Sequence, residues 1–174
     1  MTDMEKIESN WKKYSGLLGR FKDDSINDLL EGLGERLCIA PANPRKEQYG
    51  SYTGGLIDTS LRMASTMKSM AGKLSIQSTL KVALLHDIGR LGTESDDWLS
   101  HQDSDWHHER GFYFKQNYEL GPNNHVQRTL FFLQKYGVKL TADEFDAILS
   151  VEDSVARNTL SCNLLYARNV LITE

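Results

Sequence analysis

A histidine and an aspartate stand side by side at positions 86 and 87, closing the apolar stretch LKVALLHDIGRLG over 80–92. Neutral imidazole and carboxylate are donors that intermediate divalent metals accept, so His86 and Asp87 could hold Zn, Fe, Mn or Ni. Neighbouring helical side chains point about 100° apart and reach one ion only near a helix end or kink. Gly89 marks such an end two residues on. The plainer alternative is a pair that caps or orients locally. A second collection of donors follows in His101, Asp103, Asp105, His107, His108 and Glu109; these are either solvated side chains of an acidic loop or further ligands. Other chemistries find little purchase. Gly54-Gly55 lacks the flanking pattern of a phosphate-cradling loop and reads as close backbone packing before a helix. No GxSxG elbow or Ser-His-Asp order points to a covalent hydrolase.

The elements that must position the pair carry a helical period. Ile7, Trp11, Tyr14, Leu18 and Phe21 step by four and three, and Ile26, Leu29, Leu30, Leu33 and Leu37 repeat the pattern, which predicts two amphipathic helices within 1–39. Two prolines and several glycines make 40–55 a long irregular loop. The spacing then predicts helices over about 56–73 and 76–86, the second ending on the His-Asp pair. Residues 92–106 read as a polar loop, with a helix restarting near His107. After the GPNN turn (121–124), Val126, Leu130 and Leu133 mark another helix, and Thr141 with Glu144 has capping-box spacing for the next. A short apolar helix is expected at the end. The fold class is all-α, a bundle of about seven to eight helices.

With 174 residues the chain has the length of one domain, able to bury roughly 70% of its unfolded surface. A net charge of −4, with basic residues spread out, argues against nucleic acid as a partner. Cys38 and Cys162 form no CxxC pattern and read as core-filling thiols. The first residues lack an apolar leader and no stretch is long enough to span a membrane, so the expectation is a soluble, cytoplasmic protein.

YTGGLIDTSLRMAS (52–65), followed by ALLHDIGRLG (83–92), resembles the opening of an HD-domain metal-dependent phosphohydrolase. Together with APANPRKEQYGSYTGGLIDTSLR, SDWHHERG (104–111) and HVQRTLFFLQKYGVKLTADEFDAI (125–148), the chain is similar to small HD proteins of bacteria and tailed phages. The resemblance implies a single HD-type domain, with 56–174 as its helical core. It implies a metal centre of one or two ions, built from a first His, the HD pair, further His residues and a final Asp. Such an ion activates water and polarises a phosphoryl oxygen.

Carried over, His86 and Asp87 match the central pair and His107 a later histidine. The first His, however, falls on Thr59, and Tyr49 stands where related chains place another. The fourth motif reads VED (151–153), and Asn169 takes the place of the final Asp. Thr and Asn offer only neutral oxygen, and losing supporting groups alone costs about 10 to 100-fold in metal affinity or activity. The implied function is therefore a catalytically impaired or non-catalytic modulator, of the phage-encoded kind and acting in the host cytoplasm, that binds a nucleotide-like molecule or a protein. The alternative is a phosphohydrolase with one divalent metal (Mn, Fe, Ni, Zn or Mg) on His86, Asp87 and a third ligand, His107 or Asp58; the former case needs no metal. Asp58 otherwise reads as an exposed first-turn residue. Arg90 stands where the family has a Lys near substrate phosphate, or else faces solvent, and His108, Arg110 and Lys46 could join it on an anion. Trp98 and Trp106 flank the acidic loop as pocket walls or fasteners.

Overall fold

In a computed structural model, which describes residues 3–121 and 123–173, the period of the first forty residues becomes two helices packed on each other, α1 (Asp3–Gly19) and α2 (Asp24–Ile39). Pro122, in the expected GPNN turn, lies outside the described residues. The Asp23 carboxylate accepts from Ser25 N and starts α2, satisfying one of the amide groups a helix leaves without a partner. Tyr14 is buried and its hydroxyl donates to the Leu84 carbonyl at 2.9 Å, so α1 is pinned to the segment that ends on the His-Asp pair.

That segment is α4 (Ile76–Leu85), capped by Ser75 and almost wholly apolar on the side that meets α3 (Gly55–Ser69). Between α2 and α3, residues 40–54 are irregular but not loose. Ala42, Asn43, Pro44, Gly50 and Ser51 are all buried. The entry to α3 depends on two glycines: a Cβ on Gly55 would lie 2.1 Å from the Gly50 carbonyl oxygen, and Gly50 itself has φ +65°.

Beyond α4 the chain makes a short 3₁₀ turn (Ile88–Leu91) and then a polar connection. Instead of remaining loop throughout, this connection contributes a strand β1 (Leu99–His101), which pairs antiparallel with β2 (Phe114–Gln116), Ser100 opposite Lys115. The helix expected near His107 is the short α5 (Asp105–Glu109) between those strands. Then come α6 (His125–Lys135), capped by Asn124, and α7 (Ala142–Asp153), opened by the Thr141–Glu144 capping box. The last helix, α8 (Thr159–Thr173), is as long as α3, a correction to the short helix expected. It buries Leu160, Leu164, Ala167 and Leu171 at steps of four, three and four against α3 and α7.

Eight α-helices and one two-stranded sheet thus make an all-α fold among the described residues, around one core to which every helix but α5 contributes. No helix among them is long and apolar enough to cross a membrane. Both cysteines are free. Cys38 is only partly buried and Cys162 is exposed, so neither fills the core as expected: their helical phase points them off the buried stripes of α2 and α8.

Candidate functional site

His86 is the residue that closes α4, and Asp87 precedes the 3₁₀ turn; both are buried. The turn is driven hard against the start of α6. A Cβ on Gly89 would fall 2.0 Å from the His125 carbonyl oxygen, Gly89 N donates to Thr129 Oγ1 at 2.8 Å, and Thr129 Oγ1 donates to the His86 carbonyl at 3.2 Å. This close approach brings His125, the first residue of α6, to the pair. Its Nε2 lies 3.5 Å from Asp87 Oδ1.

Four side chains surround the Asp87 carboxylate. Arg90 Nε donates to Oδ2 at 2.8 Å and Arg168 Nη1, from α8, donates to the same oxygen at 3.2 Å. His86 Nε2 stands 3.8 Å from Oδ2. The carbonyl of Ala83, 3.0 Å from His86 Nδ1, can only accept, which assigns the imidazole proton to Nδ1 and leaves Nε2 without one. At these distances neither histidine is hydrogen-bonded to Asp87. Asp87 Oδ1 and His125 Nε2 are both buried without a hydrogen-bond partner.

The electrostatics follow the geometry. Burial alone would raise the Asp87 carboxyl; Arg90 and Arg168, joined by the two imidazoles, outweigh it and hold the group well below the usual carboxylate range. Burial is the largest influence on both histidines and lowers each to about 4, with Asp87 opposing and Arg168 and Arg90 reinforcing. At neutral pH the centre therefore holds one carboxylate, two guanidiniums and two neutral imidazoles.

A divalent metal does not fit this donor set. His86, Asp87 and His125 come nearest to a ligand group, yet two guanidiniums already neutralise the carboxylate, and a further +2 charge would face both of them in a buried site. Among the described residues, no group of three or more His, Cys, Asp and Glu side chains is placed to hold a metal ion. Thr59 is buried but its Oγ1 donates to the Leu56 carbonyl of its own helix at 2.9 Å. Asn169 is exposed; its neighbour Arg168 is the α8 residue that reaches Asp87.

The other candidate residues lie elsewhere. Asp58 is only partly exposed, and its carboxylate bonds to α1 and the loop rather than to Asp87. It accepts from Asn10 Nδ2 at 2.8 Å, from Lys6 Nζ at 3.3 Å and from the Tyr52 hydroxyl, clasping α1 to α3 and the loop. His107 sits on exposed α5, its Nδ1 on Ser104 Oγ at 2.9 Å and its ring edge-on to Trp106 and Phe112. His108 stacks on Tyr113 with centroids 4.6 Å apart, and Arg110 lies over the exposed Trp106 ring at 3.6 Å. Lys46 is exposed on the loop, where its backbone N donates to the Gly111 carbonyl.

Arg90 is buried at 7% exposure, and each nitrogen of its guanidinium is engaged: Nε on Asp87, Nη1 on the Ala42 carbonyl at 2.8 Å and Asn43 Oδ1 at 3.1 Å, Nη2 on the Tyr49 hydroxyl at 3.3 Å. Trp98 covers it, with the ring centroid 5.6 Å from Cζ. Asn43 Nδ2 in turn donates to the Tyr49 carbonyl at 2.8 Å. The buried carboxylate thus anchors, through Arg90, the inner side of the 40–54 loop. Sequence reasoning passes over His125 and Arg168. A histidine directly after the Asn124 cap is a visible signal for the first, since the start of a helix is where a side chain can face a neighbouring turn. Arg168 carries none beyond its place in the buried phase of α8.

No family model, curated protein or solved structure matches the chain.

Proposed function

We propose that this chain is an HD-type protein whose metal centre has been exchanged for a buried arginine–carboxylate cluster, and that it acts by binding a nucleotide-like molecule or a protein partner. One observation carries the reading: the carboxylate that would ligate a metal is matched by Arg90 and Arg168, both within hydrogen-bond distance of Oδ2. Arginine keeps its charge at any accessible pH and cannot step aside by losing a proton. The cluster supports the loop above it rather than presenting an open coordination position, which a catalytic ion needs.

A second reading, a metal-dependent phosphohydrolase on nucleotides, draws on Asp87 Oδ1 and His125 Nε2, the two unpaired atoms beside His86. The two are separated by measuring Mn, Fe, Ni, Zn and Mg in the purified protein and assaying a nucleotide panel with each metal. His86→Ala and Asp87→Ala variants are run alongside. Binding without hydrolysis is expected, and no stoichiometric metal. Turnover that requires a metal and disappears in both variants overturns the proposal.

A further inference from the structure

Of the 15 residues of α8 only Arg168 carries a charge, and that charge is spent inward on Asp87. Its neighbour α7, by contrast, exposes Asp143, Glu152 and Asp153. What α8 shows to solvent is an uncharged strip. Thr159, Cys162, Tyr166, Asn169 and Thr173 are all exposed and step by three, four, three and four, on the side opposite the buried Leu160, Leu164, Ala167 and Leu171. At about 100° per residue, the half-buried Leu165 and Val170 fall on the two shoulders of this strip. Tyr166, 58% exposed, stands at its midpoint. Among the described residues, no hydrogen bond or ion pair engages the side chains of Cys162, Tyr166 or Asn169.

A helix without a charged face is one that meets other structure on both sides. The inner side of α8 meets α3 and α7. The outer strip keeps the three-four spacing with which one helix presents a seam to another. Charge then selects the partner. The chain carries a net charge of −4, so two copies repel wherever acidic faces such as that of α7 approach, and the strip on α8 lets them meet without that repulsion. An oppositely charged partner would be drawn to the acidic faces instead. The strip also complements itself. Because Tyr166 is its midpoint, a two-fold axis through the strip sets this ring against its own counterpart whether the helices run parallel or antiparallel. Area sets the strength. A helix of 15 residues is about 22 Å long, and two such faces fall at the low end of interface size, below about 1,200 Å² in total.

We propose that a second copy of this chain docks on the outer face of α8, helix against helix along the Thr159–Thr173 strip, as a weak two-fold dimer. The pairing is independent of any ligand at the Asp87 centre.

Sedimentation equilibrium of the full chain under reducing conditions, from about 5 to about 500 µM, tests it. The mass should climb from monomer toward dimer with a dissociation constant of about 10–100 µM. Tyr166→Glu sets two carboxylates face to face, and Asn169→Lys brings a charge into the seam; each should weaken the dimer by at least about tenfold. Both positions are exposed, so dilute samples of the two variants should melt with the parent, and one variant serves should the other fail to fold. Phe131→Glu is the control: it puts the same charge on an exposed ring of α6, and association should be unchanged. A parent that stays monomeric throughout would hand the strip to a different protein and overturns the pairing. Two α8 variants that dimerise as the parent does, or an equal loss in Phe131→Glu, overturn it as well.

Discussion

The Arg168 guanidinium meets the Asp87 carboxylate at 3.2 Å, joining α8 to the turn after α4, and it does so on an oxygen that Arg90 already holds at 2.8 Å. Taking one member from such a cluster leaves a buried charge uncompensated, a loss of about 3–5 kcal/mol. Asp87→Ala should therefore be among the most destabilising changes in the chain, read as a lower urea midpoint. The coupling supplies the control. Once Asp87 is alanine, Arg168→Met should cost far less than it does in the parent, because the arginine has lost its partner; strict additivity of the two changes would sink the idea of a cluster.

Acid should loosen the protein from a higher pH than carboxylates alone would explain. His86 and His125 titrate near 4 in the folded chain, chiefly because they are buried, against about 6.5 when unfolded. Between those values the unfolded state binds protons that the native state refuses. Stability is thus fully present above about pH 6.5 and falls as pH drops toward about 4, with roughly 3 kcal/mol at stake for the wholly buried His86. The Asp87 contribution has the same sense but a lower window, since its carboxyl is also depressed: it is lost only below the ordinary carboxylate range. Urea midpoints from about pH 7 to about pH 4 should show this slope. His86→Gln should flatten it, and an unchanged slope would rule out the neutral buried imidazole.

Gly89 should tolerate no side chain. With the His125 carbonyl 2.0 Å and Thr129 N 2.4 Å from where a Cβ would stand, the neighbours are backbone and cannot rotate away. Gly89→Ala should cost about 1–3 kcal/mol or more through displacement of the turn from α6. Thermal melting measures the loss. Amide exchange at Gly89, whose N–H donates across this seam to Thr129 Oγ1, locates it.

How much of this was legible depended on period and on single-residue phase. Stripes such as Ile26, Leu29, Leu33 and Leu37 name their helix because every third or fourth residue must be apolar to reach the core, and seven of the helices followed from such stripes or from caps like Thr141 with Glu144. The β1–β2 pair did not, because three-residue strands in a polar loop carry too little alternation. The His86-Asp87 pair was visible as chemistry, but its partners were not. One step along a helix turns a side chain by about 100°, enough to exchange the exposed Asn169 for Arg168 at the centre. Arg90 read as either solvent-facing or phosphate-facing; its burial follows from the 40–54 loop folding over it, a long-range contact that no local pattern encodes.

Asp58 provides the last test, because metal ligation and a clasp demand different things of one carboxylate. Its acceptors are filled by Lys6 and Asn10 of α1 and by the Tyr52 hydroxyl, and this company holds the carboxyl below its ordinary value even though burial, the largest single influence, pushes it upward. Replacing it by alanine removes the groups that tie α1 to the start of α3 and leaves three donors to find water. Tyr52 and Lys6 are at least partly exposed, so water can reach them and the loss should be modest, about 1–2 kcal/mol. The effect should be local. In Asp58→Ala, amide exchange should quicken along α1, while the Gly89 amide, across the fold in the seam with α6, keeps its protection. Metal content should be the same in parent and variant. A fall in bound metal on loss of Asp58, with α1 no more exposed to exchange than before, would put this carboxylate back among the ligands and take the clasp away.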